Sequence, residues 1–423
     1  MKNAHKQYLD AVRYLERLAA SPHDQAYMHS HKKNPEIFLE RTREFIRLLG
    51  NPERGFKYVH VSGTSGKGTT VTALHNMLDA DGRRVGSFTS PYATTSIDKI
   101  RVNEKLISPA AFARLVKKIK PIIERMEQHS VYRRPAYFEI FFGLALLYFK
   151  EQKCDWVILE VGCGGTYDAG NIIKTSISAT TNVGLDHMAL LGNTLSKIAR
   201  EKAGIIKPKS DFFTTERRER IRAIFKQKCK KEKARFHVVE ADKYQKSDHA
   251  LAYAIARHIG ISEDATNEGL LRTKLPCRFE IVQQKPIIIL DGAHNPDKIR
   301  SVVHNSKKLT YDTLYTIFAS AKNKNAKKMI ELLAPITDQF IFTEFSVEGR
   351  ASYTTAELAR YCPKQVSCVQ EPNASKALQL VRRKAKSNDA ILITGSFFLA
   401  GKLRTRWIPE SRILTTRSIS PHS

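Results

Sequence analysis

The stretch YVHVSGTSGKGTTVTALHN, residues 58–76, constrains this chain more than any other. Tyr58, Val59 and Val61 read as a short buried strand, Gly63 to Thr69 as a glycine-rich turn, and Thr70 to Leu78 as the start of a helix. A strand, a turn of small residues and a helix N-terminus make a phosphate cradle, because backbone N–H groups point at the anion and the helix dipole favours it. Glycine lets the backbone approach oxygen atoms closely, and Lys67 supplies a point charge for outer phosphates. The spacing is not the Walker one: in G-x-x-x-x-G-K the first glycine would fall on Val61. The signal is therefore Gly63-Thr64-Ser65-Gly66-Lys67-Gly68-Thr69 in its own right, with Thr69 a candidate hydroxyl on the magnesium side. The bland alternative is a Gly/Ser/Thr loop with a solvated lysine, but it leaves the flanking strand and helix unexplained.

Around this loop, strand and helix patterns alternate. Tyr8 to Leu18 and Pro35 to Leu49 are helical, and the polar stretch 21–34 between them carries histidines expected to face solvent. Val85 to Thr89 reads as a strand, followed by a long polar loop from Ser90 and a strand-like pair at Ile100 to Leu106. Phe138 to Lys150 reads as a helix, and Trp156 to Val161 as a central parallel strand because it is apolar throughout. Ile177 to Val183 reads as the next strand, Thr194 to Ile206 and Ala250 to Ile259 as helices. From Pro286 the alternation resumes through Thr394, a second α/β unit. The fold class expected is α/β: a mostly parallel P-loop-type sheet with helices on both faces, then a smaller Rossmann-like domain. The boundaries expected are 1–277, a hinge at 278–285, and 286–423, with Arg404 to Ser423 a frayed basic tail.

Four polar residues sit where polar residues are costly or where ligands collect. Ser90 and Glu160 fall at the C-terminal ends of expected strands, the edge at which open parallel sheets bind ligands. A carboxylate such as Glu160 closing an apolar strand needs a partner or a metal. His187 follows the strand that ends in Gly184-Leu185-Asp186. Lys202 shares one helical stripe with Leu195, Ile198, Ala199 and Ile205, so it is an inward lysine. Such a residue either packs its stem and lets its head snorkel out, or has altered chemistry.

Composition narrows the class. The longest apolar run, Ile140 to Phe149, has the length of a buried helix and not of a membrane span. The N-terminus lacks the apolar stretch of a signal peptide, and the six cysteines show no CxxC pair, which suits reduced thiols in a cytoplasm. Seventy Lys+Arg against 42 Asp+Glu give a net charge of +28, with a concentration between Lys197 and Lys246. Without interleaved aromatics, that charge reads as a solvated face or as steering for small polyanions, and less well as a nucleic-acid surface.

At this point the chain resembles the Mur ligase superfamily, and within it the folylpolyglutamate synthase/dihydrofolate synthase family, over about residues 35–404. Four segments carry the resemblance: VHVSGTSGKGTT, FEIFFGLALLYF with WVILEVGCGG and YDAGN, TTNVGLDHMALLGNTLSKIAREKAGIIKP, and LDGAHNP. Gly68, after Gly66-Lys67, points to the folate subgroup. The resemblance implies that Gly63, Gly66, Lys67 and Gly68, with Thr64 and Ser65, hold ATP phosphates. It implies that Ser90, Glu160 and His187, with Thr69, bind two Mg²⁺, and that Lys202 is carbamylated. It also implies that Arg278 of the hinge touches the nucleotide and that Asp291 and His294 meet it when the domains close. The expected reaction is phosphorylation of a carboxylate by ATP and attack on the acyl phosphate by L-glutamate. A monomer without a membrane or nucleic-acid partner is expected.

The departures fall in particular places. After Thr89-Ser90-Pro91 the family continues with His and then a Phe-Asn-Glu-Arg-Ile stretch, where this chain has Tyr92 and then Ala93-Thr94-Thr95-Ser96-Ile97-Asp98-Lys99-Ile100. Gly-Gly-Arg-Leu-Asp becomes Gly164-Gly165-Thr166-Tyr167-Asp168, and Pro-Gly-Arg becomes Pro276-Cys277-Arg278. An asparagine expected to meet adenine is replaced near Asp248 or His249. Two alternatives therefore stay open: a Mur-type ligase for another carboxylate, and a basic nucleic-acid-binding ATPase, which would bind with steep salt dependence.

Overall fold

The computed structural model describes residues 2–19, 35–240, 247–347 and 351–419; the histidines of the 21–34 stretch and Lys246 lie outside the described residues. The chain divides into two compact units, Met1–Tyr92 with Ser96–Lys274, and Ala93–Thr95 with Leu275–Ser423. Residues 278–285, read from sequence as a hinge, include an edge strand of the second unit, and the tripeptide 93–95 also belongs to that unit.

The first unit is built on eight strands: β1 (Lys57–Ser62), β2 (Val85–Phe88), β3 (Ile100–Val102), β4 (Lys105–Leu106), β5 (Trp156–Glu160), β6 (Ile177–Thr180), β7 (Asp211–Thr214) and β8 (Arg235–Val238). Their order is β4-β3-β2-β5-β1-β6-β7-β8; β3 and β4 run antiparallel and the rest parallel. β5 lies between β2 and β1 and is buried along its whole length, as a strand covered on both faces must be. Val59 and Val61 enter one core with Val71, Leu74, Leu251 and Ile255, supplied by the helices Lys67–Ala80 and Ser247–His258. The opposite face takes the helix Tyr137–Glu151, whose Phe138 and Phe142 pack on Phe88. The buried start of that helix is tied by Arg41, which donates to both oxygens of Glu139 at 2.8 and 2.9 Å.

The second unit has six strands: β9 (Glu280–Gln284), β10 (Ile287–Leu290), β11 (Leu314–Phe318), β12 (Gln339–Glu344), β13 (Ser367–Asn373) and β14 (Ala390–Thr394). The order is β13-β12-β11-β14-β10-β9, parallel except for β9. Both sheets match the expected α/β class.

Two local readings are corrected. The helix after the phosphate loop begins at Lys67 and not at Thr70, since Gly66 already caps it with φ +81°. The expected frayed tail is folded up to residue 419: Glu410–Thr416 is a helix, with Ile413 and Leu414 buried. Arg404, fully buried, donates to both Glu280 oxygens at 2.8 and 2.9 Å and to Thr94 Oγ1 at 3.1 Å. Its basic composition hid these apolar and paired positions.

Candidate active site

The sheet order sets the site. β2, β5, β1 and β6 are consecutive neighbours and parallel, so the residues that follow them emerge along one edge. Ser90 follows β2, Glu160 ends β5, the Gly63–Gly66 turn follows β1, and Thr181 to His187 follow β6.

The turn is braced from the β6 side by residues that sequence reading did not single out. Thr181 Oγ1 donates to the Ser65 carbonyl at 2.6 Å, Asn182 Nδ2 to Ser65 Oγ at 2.8 Å, and the Gly184 N–H to Thr64 Oγ1 at 2.8 Å. A Cβ on Gly63, at φ +149°, would lie 1.8 Å from Thr181 Oγ1, and one on Gly66 would lie 2.0 Å from Asp248 Oδ1. Only glycine fits either place. Asp248, which with His249 marks the place where an adenine-facing asparagine is expected, backs the phosphate turn and accepts from Thr70 Oγ1 through its carbonyl at 3.2 Å. Lys67 donates to the Gly63 carbonyl at 3.1 Å. Because the helix starts at Lys67, the N–H groups of Lys67, Gly68 and Thr69 lie in its first turn, where they lack partners within the helix.

Glu160, 6% exposed, accepts from the Ser90 N–H through Oε2 at 3.0 Å, so these two candidate ligands are in direct contact. His187 adopts φ +50°, caps the short helix Met188–Leu191, and donates its N–H to Asp186 Oδ1 at 2.9 Å. Lys202 lies on the helix Leu195–Ala203 and is 4% exposed. Burial, reinforced by the charge of Lys67, lowers its pKa to about 7; Cys163, Asp186 and Glu201 oppose that shift. Burial likewise raises Cys163 to about 11. The Gly164-Gly165-Thr166-Tyr167-Asp168 departure is accommodated locally. Thr166 donates through both N–H and Oγ1 to the Glu201 carbonyl at 3.0 Å, and Asp168 receives the N–H groups of Gly162 and Gly170 at 2.9 Å.

The second unit gathers Arg278, Asp291 and His294. Asp291 accepts the N–H groups of Phe279 and Ala293 at 2.7 Å, and burial raises its pKa against the pull of Arg278. The Arg278 guanidinium lies 4.8 Å from the Phe397 ring centroid. His294 Nδ1 donates to the Gly292 carbonyl at 2.8 Å, which leaves Nε2 to accept from Lys298 at 3.2 Å. Cys277, where the family has glycine, sits at φ +52° and is wholly buried. No helix among the described residues is long and apolar enough to cross a membrane, and all six cysteines are free.

Comparison with known proteins gives the same answer in two steps. Residues 61–267 match the Mur ligase middle domain and residues 277–397 the Mur ligase glutamate ligase domain, which defines a Mur-type ligase. The dihydrofolate synthase/folylpolyglutamate synthase of Bacillus subtilis is 30% identical over 414 residues, covering 87% of this chain and 94% of that one. The chain belongs to the folylpolyglutamate synthase/dihydrofolate synthase family. The E. coli FolC structure in complex with DHPP and ADP superposes with TM-score 0.79 at 25% identity, covering 92% of this chain and 98% of that one. The Mycobacterium tuberculosis folylpolyglutamate synthase complexed with ADP shares the fold at TM-score 0.84 and 22% identity, over 96% and 99% of the two chains.

Proposed function

We propose that this chain is an ATP-dependent, ADP-forming ligase that joins L-glutamate to the carboxylate of a folate or pteroate. The observation that carries the reading is the alignment, on four neighbouring parallel strands, of the glycine turn with Lys67, the Ser90–Glu160 pair and the segment reaching His187. Family membership at this coverage supports the acceptor class.

A carboxylate oxygen of the acceptor attacks the γ-phosphorus, the bond to the bridging oxygen breaks, and ADP leaves. The amine nitrogen of glutamate then attacks the acyl carbon, phosphate departs with the electron pair, and the nitrogen sheds a proton. Lys67 and the first-turn N–H groups, with Gly63, Thr64, Ser65, Gly66 and Gly68 shaping the turn, hold the phosphates and offset their growing charge. The hydroxyls of Thr69 and Ser90, the Glu160 carboxylate and the His187 imidazole are the assigned ligands of two Mg²⁺. A set dominated by hard oxygen atoms suits that ion, and the hydrogen bond from the Ser90 N–H to the Glu160 carboxylate supports the pairing of these two residues. Bound there, Mg²⁺ would disperse charge on the phosphoryl group.

Lys202 is assigned as the carbamylated lysine. With its pKa near 7, a large share is free amine at neutral pH; that nitrogen adds to CO₂ and releases one proton, leaving an anion beside Lys67. Arg278, Asp291 and His294 are assigned to the nucleotide. The chain acts as a monomer, its +28 charge drawing polyanionic substrates and not nucleic acid.

The test is ADP release with Mg²⁺ and L-glutamate, offering dihydropteroate, tetrahydrofolate or no acceptor. Glutamate-dependent release with at least one pterin is expected. Silence with both, in protein that still binds ATP, would overturn the folate acceptor and move the ligase to another carboxylate.

A further inference from the structure

Away from the phosphate turn, at the start of β7, three metal-ligating side chains converge. Asp211 opens β7, His237 lies on β8, and His258 ends the helix Ser247–His258. β7 and β8 pair in parallel with Asp211 opposite Arg235 and Phe213 opposite His237, so these four side chains share one face of the sheet. His237 Nε2 is 2.8 Å from Asp211 Oδ1, His258 Nε2 is 3.3 Å from Oδ2, and the three ligand atoms lie within 4.8 Å of one another. The Phe213 ring stacks on His237 at 4.4 Å and meets His258 edge-on at 5.2 Å, which fixes both imidazoles.

We propose that Asp211, His237 and His258 form a site for a zinc-class divalent transition-metal ion, distinct from the magnesium ligands of the active site. Zinc bonds of about 2.0–2.2 Å in a tetrahedron put ligand atoms about 3.3–3.5 Å apart. The His258 Nε2–Asp211 Oδ2 separation has that value, and the His237 Nε2–Asp211 Oδ1 contact, at 2.8 Å, would open as the ion replaces the shared proton. Two imidazoles and one carboxylate select zinc, copper or nickel over magnesium. Arg235 also engages the carboxylate, through Nε at 2.7 Å and its terminal nitrogen at 2.5 Å. Its side chain is 72% exposed against 7% for Asp211, so the guanidinium can swing into solvent when an ion takes its place on the carboxylate.

The ion would staple the edge strand β8 and β7 to the end of the helix Ser247–His258. That helix carries Asp248, the residue against Gly66, near its other end. The site therefore steadies the element that backs the phosphate turn.

The full-length protein is titrated with Zn²⁺ in excess Mg²⁺ by calorimetry, and its Tm is followed in parallel. One equivalent more than in His237→Gln/His258→Gln is expected, with affinity in that variant at least about 100-fold weaker. Zn²⁺ should raise the Tm of the native chain alone, and Arg235→Gln should bind more tightly because a competing cation is gone. Equal uptake and equal Tm response in native and doubly substituted chains would overturn the proposal. So would no uptake at all, or weaker binding by Arg235→Gln.

Discussion

Two loops leave the first sheet from the strands on either side of β5 and are held in different ways. The turn after β1 is fixed by backbone geometry: Gly63 and Gly66 stand where any Cβ would strike Thr181 or Asp248, and the hydrogen bonds from Thr181, Asn182 and Gly184 hold its shape. The loop after β2 is fixed by side-chain packing. Lys99 is buried among the rings of Tyr92, Tyr137 and Phe141, while Thr94 and Thr95 are bound by Arg404 and Glu410. Phosphate is the same ligand for every member of such a family, so a turn shaped by main-chain constraints tolerates little change. A loop set by packing can be rebuilt with other side chains of matched volume and charge, and one of this chain's departures from the expected family pattern falls here.

The largest effect expected is on the packed loop's anchor. Arg404→Met leaves Glu280, 13% exposed, without its ion-pair partner and removes a donor to Thr94. Breaking such a buried pair costs about 3–5 kcal/mol, to be read as a lower urea midpoint for the second unit. An unchanged midpoint would mean that the loop is not held there. Next is Glu160→Gln, which keeps the Ser90 contact but removes the charge. Turnover should fall about 10²–10³-fold with circular dichroism unchanged, and near-normal turnover would break the assignment of this edge to metal and phosphate.

Lys202→Ala should lower turnover about 10²-fold, with partial rescue by small carboxylates that enter the vacated space, and Lys202→Met should lower it as much without rescue. Its effect on stability has the opposite sign. The unfolded chain keeps the Lys202 proton up to about 10.5, whereas the folded chain releases it near 7. Between those values the unfolded state binds more protons, so the stability this group contributes rises with pH and is lost as pH falls towards 7. In CO₂-free buffer, Lys202→Met should therefore exceed the native chain in stability most clearly at pH 6, with the gap closing towards pH 10. Parallel urea curves for the two proteins would refute a desolvated ammonium.

How legible these features were in sequence depended on their physics. Lys202 was readable as an inward residue because helical periodicity reports facing directly, and Glu160 because a carboxylate in an apolar strand is costly. Thr181, Asn182 and Asp248 were not, since their contact with the turn depends on strand order and on a helix far along the chain, which no local pattern encodes. The helix Pro109–His129 escaped for a different reason: Pro121 interrupts its pattern, although Ser108 caps its start. Arg404 and its neighbours were hidden by composition, because a basic stretch reads as solvated until its partner, Glu280, is placed beside it. Cys277 shows the converse case. A cysteine in place of the expected glycine gave no sign of a left-handed backbone, and the structure holds Cys277 at φ +52° all the same.

The smallest effect expected separates the two loops most cleanly. Lys99 Nζ lies 3.6 Å from the Phe141 centroid and 4.3 Å from that of Tyr137, and donates to Tyr137 Oη at 3.2 Å. Lys99→Met keeps most of the volume and deletes the charge, forfeiting a cation–π contribution of about 0.5–2 kcal/mol. We assign this loop to the acceptor, because Ser90 at its start adjoins Glu160 on the ligand-binding edge of the sheet. It should loosen without unfolding, so the KM for the pterin acceptor should rise by less than about 10-fold while the KM for ATP stays as it was. Gly66→Ala should do the reverse, moving the KM for ATP and leaving the acceptor's alone, because its clash is with Asp248 behind the phosphate turn. If both substitutions shift both constants together, the loops respond as one body, and the division between a backbone-fixed phosphate region and a packing-fixed acceptor region fails.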